Sequence, residues 1–324
     1  MKAVVQDAYG PPEVLRVQEI DKPEPGPGEV LVRVRAAGLD PGVWHLTTGR
    51  PYLLRLALGL RAPRVRIRGL DLAGVVEAVG AGVESLGAGD EVFGTCDGSF
   101  AQYACTGQDR LHRKPENLTF EQAAVVPVSA CTALKALREA GRLRDGERVL
   151  VIGAGGGVGS FAVQLAKTFG AHVTGVCSTS KTGLVRSLGA DEVIDYTGED
   201  PTAGGRRFDL VVDTAGNRPL AALRRVLTTR GTLVIVGGEG GGAWLGGADR
   251  QLRALALSPF VRHRLLAPAA MRQSQEDLRL LAGLIEEGRL TPVIDRTYGL
   301  DELPEAVRHL ERGHARGKSV IRVP

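Results

Sequence analysis

The sequence predicts an α/β protein: a doubly wound parallel sheet, with a smaller N-terminal domain of short strands. Three observations carry the prediction. First, the β-favouring run Val149-Leu150-Val151-Ile152 leads into Gly153-Ala154-Gly155-Gly156-Gly157-Val158-Gly159, after which apolar residues at 158, 162, 165, 166 and 169 recur at helical spacing and stop at Gly170. This reads as strand, tight turn and helix, the first half of a βαβ unit. Second, near-continuous apolar runs at 171–176, 208–213 and 231–236, with a shorter one at 192–195, alternate with helical segments at 181–188 and 219–228. That is the pattern of parallel strands buried on both faces. Third, the N-terminal third carries short strand signals separated by proline and glycine.

Taken in order, residues 2–5 and 29–36 read as strands, the second alternating its apolar residues onto one face. Between them, Asp21-Lys22-Pro23-Glu24-Pro25-Gly26-Pro27-Gly28 can continue neither a helix nor a strand. Strand signals return at 73–80 and 90–94, a spacing that suits a small barrel or sandwich. Residues 52–66 set Leu53, Leu56 and Leu60 at helical spacing among arginines; they read as a helix that either lines a substrate entrance or lies plainly on the surface. From Thr119 the pattern turns helical, with Thr119-x-x-Gln122 as a capping box and mostly small and apolar residues through Ala140. This change sets a domain boundary near residue 124. Ser274-x-x-Asp277 caps a further helix stopped by Gly288, and strands follow at 292–295 and 319–323. The glycine-rich run 237–247 reads as a mobile loop.

At 324 residues the chain has room for two domains, each with its own core. No stretch is apolar for long enough to span a bilayer, and Met1-Lys2-Ala3-Val4-Val5-Gln6-Asp7 lacks the apolar run of a signal peptide. A cytoplasmic protein with no membrane partner is expected. Cys96, Cys105, Cys131 and Cys177 show no CxxC spacing and are too few for a disulfide scaffold, so reduced thiols are expected. The net charge of +4 comes from scattered arginines with no like-charged block, which argues against a nucleic-acid partner.

The chemistry of the glycine turn follows from what glycine lacks. Without a Cβ the backbone reverses sharply and approaches a ligand closely, and the free N–H groups and dipole of the following helix favour an anion. Ala154-x-Gly156-x-x-Gly159 fits the dinucleotide fingerprint with alanine in place of the first glycine. A glycine-rich turn that binds nothing is the plain alternative; the strand before and helix after weigh against it. Ligand contacts are expected at the carboxyl ends of the strands, residues 153–159, 177–181, 213–217 and 237–240.

The order of parts resembles the medium-chain dehydrogenase/reductase superfamily over essentially the whole chain. The motifs are Gly69-x-Asp71-x-Ala73-Gly74, Gly89-Asp90-x-Val92-Phe93-Gly94, Ala154-x-Gly156-Gly157-Val158-Gly159, Leu188-Gly189-Ala190-Asp191 and Gly313-His314-Ala315-Arg316-Gly317-Lys318. Within the superfamily the chain looks like the zinc-independent quinone oxidoreductase branch. The resemblance implies a GroES-like β-barrel catalytic domain over residues 1–124 and 290–324, a Rossmann NADP-binding domain over residues 125–289, and a homodimer. Where the zinc enzymes carry cysteine, histidine and a third ligand, this chain has Asp40, Leu70 and a position near Val128. Leu70 and Val128 cannot bind a metal, so no metal site is expected.

The resemblance implies cofactor contacts at Gly156, Gly157, Val158, Gly159, Ser178, Ser180, Lys181, Tyr196, Gly237 and Lys318. It also points to Asp40 and His45 as catalytic residues in the substrate cleft, with Asp40 protonated there or turned toward His45. Relatives commonly carry asparagine where Asp40 stands, and an ionised carboxylate cannot donate a hydrogen bond as an amide does; alternatively Asp40 merely orders the turn before Pro41. The expected activity is NADPH-dependent hydride transfer to a quinone, enone or enal. The alternatives are an alcohol or ketone dehydrogenase and a non-catalytic NADPH-binding structural or regulatory protein. NADPH is preferred because Cys177-Ser178-Thr179-Ser180-Lys181, which ends the second strand, offers hydroxyls and an ammonium but no acid to repel a 2′-phosphate. Capping of the next helix by the same hydroxyls is the plainer reading.

Overall fold

The computed structural model describes residues 1–238, 242, 244–267 and 273–324. It divides into two compact units, Met1–Cys131 with Gln273–Pro324, and Thr132–Arg272. The first unit opens with strand β1 (Lys2–Val5), paired antiparallel with β2 (Arg16–Glu19). The long β3 (Glu29–Leu39) follows the proline-rich connection and buries Val30, Val32 and Val34 on one face. It leads through Asp40 into α1 (Pro41–Thr48), whose first turn accepts Pro41 because its missing N–H has no helical partner to lose.

Residues 52–66, expected as one helix, form a 3₁₀ turn at Tyr52–Leu54 and the single turn α2 (Arg55–Leu58). Gly59 adopts a positive φ and ends it. Strands β4 (Asp71–Val79), β5 (Glu91–Thr95), β6 (Tyr103–Gly107) and β7 (Leu111–Arg113) complete the N-terminal stretch. The helix expected from Thr119 is interrupted. Thr119 forms its capping box on α3 (Phe120–Ala123), and Pro127 then starts a separate α4 (Pro127–Lys135), since proline has no N–H to continue the first ladder. A π-helical turn over Ala136–Ala140 follows.

The second unit is a six-stranded parallel sheet of β8 (Arg148–Ile152), β9 (His172–Cys177), β10 (Glu192–Asp195), β11 (Phe208–Asp213), β12 (Leu227–Ile235) and β13 (Arg264–Leu266). Their spatial order is β10-β9-β8-β11-β12-β13, which in chain order reads 3-2-1-4-5-6, the doubly wound arrangement. The crossovers carry α5 (Gly157–Thr168), α6 (Thr182–Ser187), α7 (Leu220–Arg225) and α8 (Ala248–Leu257). Leu150, Val211, Phe208, Leu223, Leu233 and Leu265 form its core. The segment 219–228 leaves the helix earlier than its periodicity suggests: α7 ends at Arg225 and β12 begins at Leu227, where burial of Leu227 against the sheet overrides helical spacing. Of the glycine-rich run, residues 239–241 and 243 lie outside the described residues.

The chain returns to the first unit with α9 (Gln275–Glu286), β14 (Ile294–Gly299), α10 (Leu303–Glu311) and β15 (Lys318–Arg322). The sheet order is β14-β15-β3-β4-β5-β7, with β6 also paired to β3. The sequence reading groups residues 275–286 with the second domain; in the structure α9 lies in the first unit, where Asn117 Nδ2 donates to the Ile285 carbonyl at 2.8 Å. The Ser274 hydroxyl accepts the Asp277 N–H at 3.1 Å, and the Asp277 carboxylate accepts the Ser274 N–H at 3.1 Å. Ser274→Ala removes one half of this box. It should cost about 1 kcal/mol, measured as a lowered denaturant midpoint with unchanged slope.

Cys96, Cys131 and Cys177 are buried and Cys105 is half-buried. Burial pushes the thiols of Cys96, Cys105 and Cys177 up from their ordinary range. Among the described residues no helix is long and apolar enough to cross a membrane.

Candidate active site

The glycine turn sits at the carboxyl end of β8, and Gly156 is the N-cap of α5 with no side chain to cap it. The N–H groups of the first helical turn, Gly157, Val158 and Gly159, therefore lack intrahelical acceptors and remain available to an anion. Glycine is required at 159 by close approach: a Cβ there would lie 2.1 Å from the Gly153 carbonyl oxygen. The same holds for Gly237 beyond the end of β12, where a Cβ would lie 2.0 Å from the Thr214 oxygen. These packings fit a dinucleotide's pyrophosphate at the α5 N-terminus.

The carboxyl ends of β9 and β10 bring Ser178, Ser180, Lys181 and Tyr196 to one edge of the unit. Ser178 Oγ and Ser180 Oγ lie 3.3 Å apart, and the Tyr196 N–H donates to the Cys177 carbonyl at 3.0 Å. The Lys181 stem lies over Gly155, whose Cβ, if present, would be 2.8 Å from Lys181 Cδ. Ser178 occupies an N-cap position but makes no capping hydrogen bond, so the plainer reading of that residue does not hold. The structure also adds an acid that the run 177–181 does not contain. Asp195, at the end of β10, is the register partner of Cys177 and accepts the Thr179 hydroxyl at 2.5 Å and the Thr197 hydroxyl at 2.7 Å. These two hydroxyls hold its carboxyl below the usual range, so it is ionised.

In the first unit, strand pairing builds a buried cluster. Ser319 of β15 pairs with Leu39 of β3, and Gly38 of β3 pairs with Asp71 of β4, so Lys318, Asp40 and Asp71 meet at one end of three adjacent strands. Lys318 Nζ donates to Asp40 Oδ1 at 2.7 Å and to Asp71 Oδ2 in a shorter contact. All three are at least 95% buried. The other Asp71 oxygen accepts the Val128 N–H at 2.8 Å, and Ser129 Oγ donates to Asp40 Oδ1 at 3.4 Å. Asp40 Oδ2 is buried with no hydrogen-bond partner.

The charges follow from this geometry. Burial, and then the neighbouring Asp40 carboxylate, push the Asp71 carboxyl well above its ordinary range against the pull of Lys318. Burial works against the Lys318 ammonium, but the Asp40 and Asp71 carboxylates outweigh it and hold its pKa above the usual value. Two carboxylates face one ammonium, and Asp71, the more deeply buried, is the one driven toward its protonated form.

Of the two arrangements expected for Asp40, protonated in the cleft or turned toward His45, the second is not the one seen: its contacts are to Lys318 and Ser129, and it makes no side-chain cap on α1. His45 Nδ1–H donates to the Arg50 carbonyl at 2.8 Å instead. Lys318, expected among the cofactor contacts, lies in the first unit with its ammonium occupied by the two carboxylates, whereas the other expected cofactor residues lie in the second unit. Sequence reasoning did not single out Asp71 as a site residue, although Gly69-x-Asp71 was in view. It also missed Arg250 on α8, which pairs with the fully buried Asp213 at the end of β11 and keeps Nε and Nη1 without partners. No local pattern marks Arg250. A cavity of about 220 Å³ in the first unit is lined by Leu46, Leu58, Val65, Ile67, Arg68 and Leu70, among others. Among the described residues no group of three or more His, Cys, Asp or Glu side chains could hold a metal ion.

Two family models match: an alcohol dehydrogenase GroES-like domain over residues 26–116 and a zinc-binding dehydrogenase domain over residues 188–321. The chain is 36% identical to the mitochondrial NAD(P)H oxidoreductase RTN4IP1 of Mus musculus, an alignment that covers 100% of this chain and 89% of the mouse protein. It is 31% identical to the chloroplast envelope quinone oxidoreductase homolog of Arabidopsis thaliana, covering 99% and 98% of the two chains. The chain belongs to the medium-chain dehydrogenase/reductase superfamily, in its quinone oxidoreductase-like branch. Among solved members of the superfamily, the quinone oxidoreductase from Coxiella burnetii superposes with a TM-score of 0.87 at 30% identity, over 100% of this chain and 99% of that one. Membership makes the chain an oxidoreductase with a nicotinamide dinucleotide as cofactor. The mouse and Arabidopsis relatives are a mitochondrial and a chloroplast envelope protein by name, which overturns the expectation of a cytoplasmic protein.

Proposed function

We propose that this superfamily member is an NADPH-dependent reductase that adds a hydride and a proton to a quinone or an α,β-unsaturated carbonyl without zinc. The observation that carries the reading is the buried Asp40–Lys318–Asp71 cluster. In it the only cation is an ammonium 2.7 Å from Asp40. A divalent metal would have to displace that ammonium and find further ligands at Leu70 and Val128, which have none to give.

The dinucleotide, when bound, supplies the hydride. The second unit's part is to hold it: the N–H groups of Gly157, Val158 and Gly159 would hold its pyrophosphate, and Lys181 with Ser178 and Ser180 would hold the adenosine 2′-phosphate. Arg250, fixed by Asp213, adds donors at the same strand ends. The first unit's part is the proton. Hydride addition to a quinone or enone leaves an oxyanion or enolate, and one proton completes the two-electron reduction. The proton that burial keeps on Asp71 is the one this cluster would supply, passing by way of Asp40, whose Oδ2 lies buried in the same cluster. Lys318 then stabilises the charge left on the two carboxylates. The apolar cavity beside Leu70 suits a planar acceptor ring and excludes water from it.

The test is direct. Oxidation of NADPH, followed by its absorbance, should require phenanthrenequinone or a simple enone and should persist after exhaustive chelation and metal analysis. Roughly one tightly bound zinc per chain, with activity lost on chelation, would refute the zinc-free reading. Binding of NADPH with no turnover of any acceptor would leave a binding protein in place of an enzyme.

A further inference from the structure

The second unit carries a concentration of cationic side chains at the edge opposite its glycine turn. A cavity of about 700 Å³ is lined by Arg207, Arg224 and Arg225, with the exposed Thr229 and with His263, whose pKa burial and then the neighbouring Arg224 lower. A second hollow of about 630 Å³ shares Thr229 and adds Arg230, Arg262 and Arg264. Both lie where β11, β12 and β13 begin. The glycine turn follows the carboxyl end of β8, so in a parallel sheet the two features are separated by the length of the strands.

The local ladder shapes this edge. Phe208 pairs with Leu227, but Leu210 pairs with Thr232, so the four residues 228–231 stand opposite the single Asp209 and the ladder bulges there. They carry Thr229 and Arg230 to the cavities.

Like charges brought this close repel one another unless a counter-anion joins them. The acids of this edge are already engaged. Asp200 pairs with Arg218 at 2.9 Å and accepts the Thr202 hydroxyl, and Asp209 accepts the Thr228 hydroxyl and the Arg148 N–H. Arg206 is taken by Glu199. By contrast, among the described residues Arg207 donates to the backbone carbonyls of Gly205 and Arg206, and Arg264 to that of Ala140, with no acid as acceptor. Arg224 Nε is buried with no hydrogen-bond partner among the described residues.

We propose that these adjoining cavities form a second, cofactor-independent binding site for a small oligophosphate, with Arg207, Arg224, Arg225 and Arg230 as its principal donors. Guanidinium forks match phosphate oxygens two at a time, which is why arginine suits this ligand better than lysine would. The concave volume is that of a small-molecule site, and the spread of cations over two joined hollows suits a chain of phosphates more than a single one.

The experiment is calorimetric titration of the full chain with inorganic tripolyphosphate at low ionic strength. Saturable binding to one site is expected. Arg224→Ala should weaken it at least about tenfold. Because Arg224 is half-buried, Arg225→Ala and Thr229→Glu serve as second variants at exposed positions, and each should weaken binding with the melting temperature unchanged. Lys181→Ala, at the opposite edge, should leave binding as it is. Displacement by ATP more tightly than by tripolyphosphate would identify a nucleotide as the source of the phosphates; equal displacement would identify the phosphates alone. The proposal is overturned by unsaturable binding, by loss in Lys181→Ala with none in the arginine variants, or by an RNA oligonucleotide that displaces the probe with affinity rising with its length.

Discussion

Replacing Lys318 with methionine will cost about 3–5 kcal/mol of stability near neutral pH and abolish reductase turnover. Removing one partner of a buried ion pair leaves the other charge uncompensated, and here two carboxylates are left. The sign with pH can be worked out from the cluster. Asp71 has a folded-state pKa above its unfolded value, so its contribution is fully present at acid pH and declines as pH rises above the ordinary carboxylate range. Lys318 also has a raised folded-state pKa; its contribution is complete below the ordinary lysine value and is lost only in strong alkali. Without the ammonium, which opposes the rise, the Asp71 carboxyl protonates more readily still. The deficit of the variant should therefore be small near pH 4 and grow toward neutrality, measured by denaturant midpoints across that range. A deficit that shrinks as pH rises would mean that the cluster does not hold the charges assigned to it. Asp40→Asn keeps the volume and separates the roles: it should retain most of the stability, lower kcat and shift its pH profile, whereas an unchanged profile would remove Asp40 from proton delivery.

Lys181→Ala will weaken NADPH binding by about ten- to a hundred-fold and leave NADH nearly unaffected. A charge-assisted bond to the 2′-phosphate is worth roughly 1.5–3 kcal/mol, and only NADPH has that phosphate. Asp195 sets the counterweight. Its ionised carboxylate stands beside Thr179 on the neighbouring strand and opposes a second negative charge, so Asp195→Asn should strengthen NADPH binding in the same titrations. Equal catalytic efficiency with the two cofactors in the unmodified chain, or an equal loss for both in Lys181→Ala, would defeat the assignment of NADPH.

What the sequence disclosed depended on how far apart the cooperating residues lie. Ser274 and Asp277 are three positions apart and their capping box was legible, as was the glycine turn, whose strand, glycines and helix are contiguous. The Asp40–Lys318–Asp71 cluster joins residues 278 and 247 positions apart, and only the order of β15, β3 and β4 reveals it. Asp195 escaped for the same reason: it reaches Cys177 through the pairing of β10 with β9, so scanning the second strand for an acid could not find it. Helical spacing also misled where burial took over, as at Leu227, and where a proline divided one apolar segment into α3 and α4.

Quinones and enones are themselves electrophiles that alkylate exposed thiolates. A protein that turns them over meets its own substrate as a poison, at the concentration and in the place where it works. Cys96, Cys131 and Cys177 are enclosed in the fold, and burial keeps the thiols of Cys96, Cys105 and Cys177 in their protonated, weakly nucleophilic form. The packing that stabilises the two units thus also gives the protein chemical endurance: its sulfur is withheld from the compounds it is proposed to reduce.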